Sequence, residues 1–394
     1  MMDHDVVVIG GGPAGLALAC SLRGTGLRIA VVERQPADVL ANPPSDGREI
    51  ALTHRSVRLL QEMGACQHLD PAIIAPLRAA RVLNGRSPFA LSFDPAGGAQ
   101  DWLGQLVPNH QLRRALYRTA FEAGDGPAGL ELVAGVAVDR VRTGPAAARV
   151  TLADGRELRS RLLVAADSRF SKVREQLGIT ASINRLGRSM MVCRVAHDRD
   201  HGGVATEWFD HGQTIALLPL PGRTSSIVLT LPAGEIERIA SLDRAALGAE
   251  LTMRSAGRLG RCTVVEDPHV YPLATTFAQH FAATRAALIG DAAVGMHPVT
   301  AHGFNLGLQG QATLARLIRE AVSAGRDIAS ALLLRRYEAA HRLATRPLYT
   351  GTNLLVRLYT DDRPLAGVAR HAVLRAGARL PLARQLISRS LMQR

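Results

Sequence analysis

The sequence predicts an α/β fold: a Rossmann-like parallel sheet, an inserted β-sheet region and C-terminal helices. Three observations predict it. The chain opens on strand, glycine turn, helix and strand, one βαβ unit. From about 181 to 270 its character changes to short alternating runs. A buried strand returns at 286–290, and helical patterns follow it to the end.

Each element has its own signal. Asp5–Ile9 is a short β-branched run, and Ala14–Arg23 is helical in pattern, ended by Gly24 and Gly26. Ile29–Glu33 reads as a second buried strand. Residues 48–64 read as one amphipathic helix with Ile50, Leu52, Val57, Leu59, Leu60 and Met63 on its apolar face. Pro71 to about Gly98 is loop and strand material, and Gln111–Ala123 is again helical. Strands are expected at Leu130–Val133, Ala137–Val141, Ala148–Leu152 and Leu162–Ala165, with a turn at Asp154-Gly155. Ser189–Val195, Thr214–Leu218 and Ser226–Leu231 belong to the second sheet. The expected organisation is a discontinuous first domain over 1–75, 100–180 and 270–330, a substrate domain over 76–99 and 181–269, and a helical segment over 331–394.

Composition narrows the function. The 394 residues are 47% hydrophobic, enough for a large core. The formal net charge of +13 is almost all arginine; the one lysine is Lys172. The arginines are spread along the chain, aromatics are 4%, and no nucleic-acid-binding motif is present, which argues against nucleic acid. Cys20, Cys66, Cys193 and Cys262 are far apart, with no C-x-x-C pair for zinc or dithiol chemistry. The most apolar stretch, Val6–Leu22, is broken by glycines and preceded by Asp3 and Asp5, unlike a signal peptide or a membrane span. A cytoplasmic protein is expected, with contact to a membrane surface left open.

The first chemical motif is Gly10-Gly11-Gly12-Pro13-Ala14-Gly15, a G-x-G-x-x-G. Gly10 permits the turn out of the strand, Gly12 lets the backbone approach a pyrophosphate, and Gly15 lets helix and strand pack closely. Pro13 and Ala14 open the helix whose N-terminus would face the phosphates. Glu33 lies 18 residues after Gly15, near the spacing of a ribose-binding carboxylate. Arg34 beside it can be read as a partner for a 2′-phosphate. This motif alone allows NAD or FAD.

The second motif selects FAD. Residues 287–307 read ALIGDAAVGMHPVTAHGFNLG. Asp291, after Gly290 at a strand end, can accept hydrogen bonds from ribityl hydroxyls. A helix starting near Gly303 can turn its N-terminus toward the flavin ring, where negative charge builds on reduction.

Together, Gly10–Gly15 with Glu33, Asp167–Arg174 and Gly290–Gly307 resemble the single-component aromatic hydroxylases that use FAD. Within them, the chain is similar to the ubiquinone-biosynthesis hydroxylases of the UbiH/UbiF type over nearly its whole length. DGREIALTHRSVRLLQEMG at 46–64, WFDHGQTIALLPLP at 208–221 and HPVTAHGFNLG at 297–307 carry that resemblance. The T-A-H-G variant resembles the UbiM-type branch. The implied fold is para-hydroxybenzoate-hydroxylase-like. The resemblance implies that Gly10, Gly12, Gly15 and Glu33 hold the ADP half of FAD, and that Arg48 and Asn109 approach the cofactor from neighbouring helices. It further implies that Val138 contacts the adenine through its backbone and that Asp291 binds the ribityl or pyrophosphate region. Gly303 and Asn305 would face the isoalloxazine. Plainer readings stand beside these: Arg48 as a surface arginine, Asn109 and Asp291 as helix caps.

Two departures matter. The family's D-G-x-x-S-x-x-R reads here Asp167-Ser168-Arg169-Phe170-Ser171-Lys172-Val173-Arg174, with Ser168 for glycine. That stretch serves FAD and NAD(P)H in the family, so the change bears on the electron donor. Ala301-His302 replaces Gly-Gln beside the flavin. His302 and His297 are the substrate-proximal candidates, as acid, base, shield or plain hydrogen-bond partner.

The implied reaction transfers one oxygen from O2, through a C4a-hydroperoxyflavin, to the ring of a polyprenylated phenol or quinol. NAD(P)H would visit as transient donor. Leu365–Arg394 mixes aliphatics with Arg370, Arg375, Arg379, Arg384 and Arg389. It reads either as a basic amphipathic contact with the inner face of the membrane or as helices packed on the protein. The alternatives are a prenyl-lipid flavin reductase and a non-catalytic FAD-binding subunit of a lipid-synthesis complex. A flavin halogenase is disfavoured: Trp102 and Trp208 cannot make its W-x-W-x-x-P motif.

Overall fold

The computed structural model describes residues 2–85, 87, 90–95, 102–122, 129–210, 212–298 and 302–360. The chain begins β1 (His4–Ile9), α1 (Pro13–Ser21), β2 (Ile29–Glu33), α2 (Ala37–Ala41), β3 (Glu49–Leu52) and α3 (His54–Glu62). It continues with β4 (Ala75–Leu77), β5 (Ala79–Asn84), β6 (Ala90–Phe93), β7 (Gly104–Pro108) and α4 (Asn109–Phe121). Next come β8 (Leu130–Ala134), β9 (Val138–Thr143), β10 (Ala148–Leu152), β11 (Glu157–Ala165) and α5 (Lys172–Gln176). The β-rich stretch holds β12 (Ala181–His197), β13 (Val204–Asp210), β14 (Gln213–Pro219), β15 (Thr224–Pro232), α6 (Ala233–Ala240), α7 (Arg244–Arg254), β16 (Cys262–Val264) and β17 (His269–Ala278). The chain then returns through β18 (Ala282–Ala283), β19 (Ala286–Leu288) and β20 (Val294–Gly295) to α8 (Gly303–Ser323) and α9 (Ala331–Thr360).

Among the described residues, the first sheet runs β18-β19-β11-β1-β2-β8, with β10 pairing β11 and β9. β1 is parallel to β2 and β11, with Val8 opposite Val31 and Val164. Val6, Val7 and Val8 have no exposed surface, sharing one core with Leu18 of α1, Leu314 and Ile318 of α8, and Val141, Val150 and Leu152 of β9 and β10. An unbroken apolar run is the form such a strand must take.

The second sheet runs β20-β17-β12-β15-β14-β13-β5-β6, with β16 on β12. Its two faces differ. Met191, Cys193, Val195, Trp208, Ile215 and Ile227 pack with Ile236 and Ile239 of α6 and Leu247 and Leu251 of α7. By strand alternation Met190, Val192, Arg194 and Glu207 lie on the opposite face. A smaller sheet, β3-β7-β4, lies beside the first motif's helix layer.

Two expectations are corrected. Residues 48–64 are not one helix: Glu49–Leu52 form β3, antiparallel to β7. The helix starts only after Thr53, whose side chain caps it by accepting from the Ser56 amide. Ile50 and Leu52 therefore alternate on a strand, and Arg48 precedes β3 rather than standing on a helix. Asn109 is not a cap either: α4 begins at Asn109 itself, and the Asn109 side chain reaches Asp46.

No helix among the described residues is long and apolar enough to cross a membrane. The basic segment Leu365–Arg394 and Ala301 lie outside the described residues. Thr53→Ala is expected to lower stability by about 1 kcal/mol through loss of the α3 cap, measured as a fall in denaturation midpoint with the far-ultraviolet spectrum unchanged.

Candidate functional site

β1 ends at Ile9 and the chain turns at Gly10 with φ of +113°. A Cβ there would stand 2.5 Å from the Ala166 carbonyl oxygen. At Gly15 it would stand 2.0 Å from the Gly10 carbonyl oxygen, so helix and strand could not approach as they do. Gly12 is different: nothing lies within 4 Å of the place a Cβ would occupy. The glycine-rich turn thus leaves an open cradle at the N-terminus of α1, where backbone N–H groups favour an anion. Pro13 and Ala14 form the first turn of that helix.

Glu33 ends β2 beside this cradle. One carboxylate oxygen accepts from the Gly11 amide at 2.7 Å and the other from the Gln35 amide at 3.0 Å. Arg34 is exposed. Val138, half-buried, starts β9 two residues after Val136, whose amide bonds the Glu33 carbonyl.

The second motif meets the first through Ala14. A Cβ on Gly290 (φ +58°) would lie 2.9 Å from the Ala14 Cβ, and one on Gly307 3.6 Å from the Gly290 Cα and 3.9 Å from the Ala14 Cβ. Elements 280 residues apart in sequence thus pack at backbone distance, and α8 opens at Gly303 beside the cradle. Asp291 accepts two hydrogen bonds from Arg169, at 3.1 and 2.8 Å. Asp167 abuts Gly10 and accepts from the Ser171 hydroxyl at 2.6 Å. Burial raises the Asp167 carboxyl despite that bond. Among the described residues, the non-glycine positions with positive φ are Ala256 and Arg285. Ser168 therefore keeps an ordinary backbone, and glycine is not conformationally required there.

Asn305 is almost fully buried. Its side-chain carbonyl accepts from the Thr53 amide at 3.1 Å and its NH2 donates to the Ala51 carbonyl at 2.9 Å. The side chain thus grips the β3–α3 junction, tying α8 to the 46–64 segment.

Arg48 and Asn109 converge, but on a residue that the sequence did not single out. Both donate to Asp46 Oδ2, at 2.6 and 2.7 Å, and the Tyr271 hydroxyl donates to the Asp46 carbonyl at 2.6 Å. Burial alone would raise the Asp46 carboxyl; the Arg48 charge and these hydrogen bonds outweigh it and hold it low. Arg113 on α4 donates to the Gln35 side chain and faces Glu33 and Asp46. Asp46, Arg113 and Arg169 were missed because partners come from distant segments; the D-G-R and D-S-R spacing hinted only at Asp46 and Arg169.

His297 is buried and lines a small cavity with Leu186, Arg188, Phe209, Thr214, Thr230 and Val356. Burial, then Arg169 and Arg188, push its imidazole down to about 4, so it is neutral at physiological pH. His302 is buried at the N-terminal end of α8, where its carbonyl accepts from the Leu306 amide.

Residues 3–349 match a family model described as an FAD binding domain. The chain is 44% identical to "Ubiquinone hydroxylase UbiM" of Neisseria meningitidis, covering 99% of this chain and 85% of that protein. It is 34% identical to "Ubiquinone hydroxylase UbiL" of Rhodospirillum rubrum, covering 98% and 89%. This chain belongs to the FAD-binding ubiquinone hydroxylase family. Its cofactor is FAD, and the open cradle at Gly12 between two converging helix N-termini fits a dinucleotide. The fold of this family is shared with Pseudomonas aeruginosa PqsL, at a TM-score of 0.77 and 21% identity over 93% of this chain and 99% of that one.

Two outcomes are expected of this hydroxylase-family chain. Gly12→Val fills the cradle without touching the core, so the purified variant should fold but lose the flavin absorbance of the wild type. The His297 imidazole titrates near 6.5 when unfolded and near 4 when folded. The unfolded state then binds the proton more readily, so stability falls as pH drops from about 6.5 toward 4. His297→Gln should flatten that part of the denaturation-midpoint profile.

Proposed function

We propose that this protein hydroxylates the aromatic ring of a polyprenylated phenol or quinol in ubiquinone biosynthesis, with O2 as oxidant and NAD(P)H as transient electron donor. The observation that carries the reading is the junction of Ala14, Gly290 and Gly307, which brings an FAD cradle to the edge of a second sheet in a chain 44% identical to a ubiquinone hydroxylase.

FAD supplies the activation of O2. The chain supplies position. Gly10, Gly12, Pro13, Ala14, Gly15 and Glu33 hold the ADP half at the α1 N-terminus. Arg113, facing Glu33 and Asp46, offers the nearby positive charge. Arg169 fixes Asp291 at the ribityl side, and Asp167 supports the turn beside it. Asp46 holds Arg48 and Asn109 in one orientation at the flavin edge. Gly303 and the backbone of Asn305 present amides toward the ring, while the Asn305 side chain holds β3. Val138 meets the adenine through its backbone.

The division of labour runs along the chain, with β17 and β20 of the second sheet crossing into the cofactor part. Residues 1–75, 100–180 and 270–330 carry the cofactor, and 76–99 and 181–269 shape the substrate space. The neutral His297 in its cavity can share a hydrogen bond with a ring oxygen without bringing charge into an apolar site, and it keeps water out. A polyprenyl chain resides in the bilayer, so the enzyme works from the cytoplasm against the inner membrane face, with the basic stretch Leu365–Arg394 as the contact.

The test is complementation of hydroxylase-deficient cells, with mass spectrometry of their quinone precursors. The expected result is loss of the accumulated precursor and gain of one oxygen per turnover. Holoprotein that carries FAD and accepts electrons yet leaves every precursor unchanged contradicts the reading.

A further inference from the structure

One acid is unaccounted for. Glu207 lies on β13, between Val82 of β5 and Ala216 of β14. Its neighbour Trp208 points into the core under α6 and α7. Glu207 points the other way, with Phe209, which lines the His297 cavity. The row continues from Ala216 to Val228 and Val192. Above Val192 sits Gly47, where a Cβ would come 2.7 Å from His269 and 3.6 Å from Val192. The Asp46–Arg48 loop therefore roofs the same face.

Glu207 is half-buried, and Phe209, two residues along the same face of β13, lines the cavity that holds His297. Among the described residues Glu207 makes no hydrogen bond or ion pair. The charged and titratable groups on this face have other partners or stand apart. Arg194 is held by Glu49 and Glu266 at 2.6 Å each, and lies three strands away, roughly 14 Å at the ordinary strand spacing. Arg48 is paired with Asp46, and the Tyr271 hydroxyl bonds the Asp46 carbonyl. Arg188 and His297 line the neighbouring cavity, His269 lies under Gly47, and Arg357 of α9, the helix that packs Leu355 and Leu358 against Phe209, is exposed and has contacts of its own. None of them fixes the charge of Glu207. Burial alone acts on it and pushes its carboxyl up to about 8.

We propose that Glu207 holds the ring hydroxyl of the aromatic substrate and takes its proton. The O–H bond of the phenol breaks, its proton passes to a carboxylate oxygen of Glu207, and the electron pair stays on the phenolate oxygen. The ring carbons ortho and para to that oxygen become electron-rich, as oxygen transfer from the loaded enzyme requires. Glu207 returns the proton to the product's oxygen. A carboxyl paired with a cation would bind this proton too weakly; an unpaired, desolvated one is matched to it near working pH. The inference rests on the hydroxylase reading above.

The test uses FAD-loaded enzyme with 2-geranylphenol and its quinol as probes. In the wild type, turnover should rise with pH through about 8 as the carboxylate forms. E207Q keeps a hydrogen bond but accepts no proton: kcat should fall about 100-fold or more, KM should stay within about threefold, and the alkaline rise should vanish. E207D should restore the rise at a lower rate. Infrared difference spectra should show a protonated carboxyl at pH 7 that E207Q lacks and that ionises near 8. A folded, flavin-loaded E207Q with wild-type kcat and pH profile overturns the role of Glu207, as does absence of the infrared band. Wild-type enzyme that carries FAD but hydroxylates neither probe contradicts the hydroxylase reading and this inference together.

Discussion

The site depends on backbone meeting backbone where side chains would forbid it. Gly15 lets α1 lie against the turn at Gly10, and Gly290 and Gly307 let α8 come down on Ala14. Close packing forfeits contacts steeply with separation, so these approaches cannot be loosened without cost. Their consequence is electrostatic. Two helix N-termini are brought to one place, and each carries partial positive charge and free N–H groups. A dinucleotide with phosphates at one end and a ring that gains electrons at the other suits that arrangement.

A second set of contacts ties this cofactor platform to the sheet beside it. Asp46 gathers Arg48, Asn109 and Tyr271 from three separate segments. Arg194 of β12 reaches Glu49 of β3, and Asn305 of α8 grips the backbone on either side of Leu52. Buried polar groups of this kind stabilise when they are partnered, and here the partners come from other elements, although the second carboxylate oxygen of Glu49 has none. The second sheet is thereby held with one face under α6 and α7 and the other beneath the loop that carries Asp46 and Arg48. The apolar residues of the first face make one core, and Phe209, Leu91 and Phe93 of the second face make a smaller one with Leu355 and Leu358 of α9.

Much of this was legible in the sequence, and the reasons are local. β2 was read to the residue because Ile29–Val32 is a continuous apolar run, rich in β-branched residues and closed by Glu33. The helix at Gly303 was read from its small-residue approach. The error at 48–64 has a physical origin: Ile50 and Leu52 extend the apolar stripe of α3, and only the Thr53 cap separates strand from helix. β12 was seen as Ser189–Val195 although it spans Ala181–His197, because its pairing with β17 shifts register between Arg185 and Ser189 and its alternation is lost there. α6 and α7 escaped notice inside a strand-rich stretch. Arg113 and Glu207 carry no local signature, and Asp46 and Arg169 carry only that of the D-G-R and D-S-R spacing. Their meaning comes from which distant residues face them, or, for Glu207, from the absence of a charged one.

The account stands on one placement: FAD lying between the α1 and α8 N-termini, its pyrophosphate at Gly12 and its ring at Gly303. An experimental structure of the flavin-loaded protein measures this directly. The account predicts phosphate density within hydrogen-bond reach of the Gly12–Ala14 amides, and the isoalloxazine between Gly303 and the sheet face that carries Phe209 and Glu207. Flavin bound away from the Ala14–Gly290–Gly307 junction would contradict it.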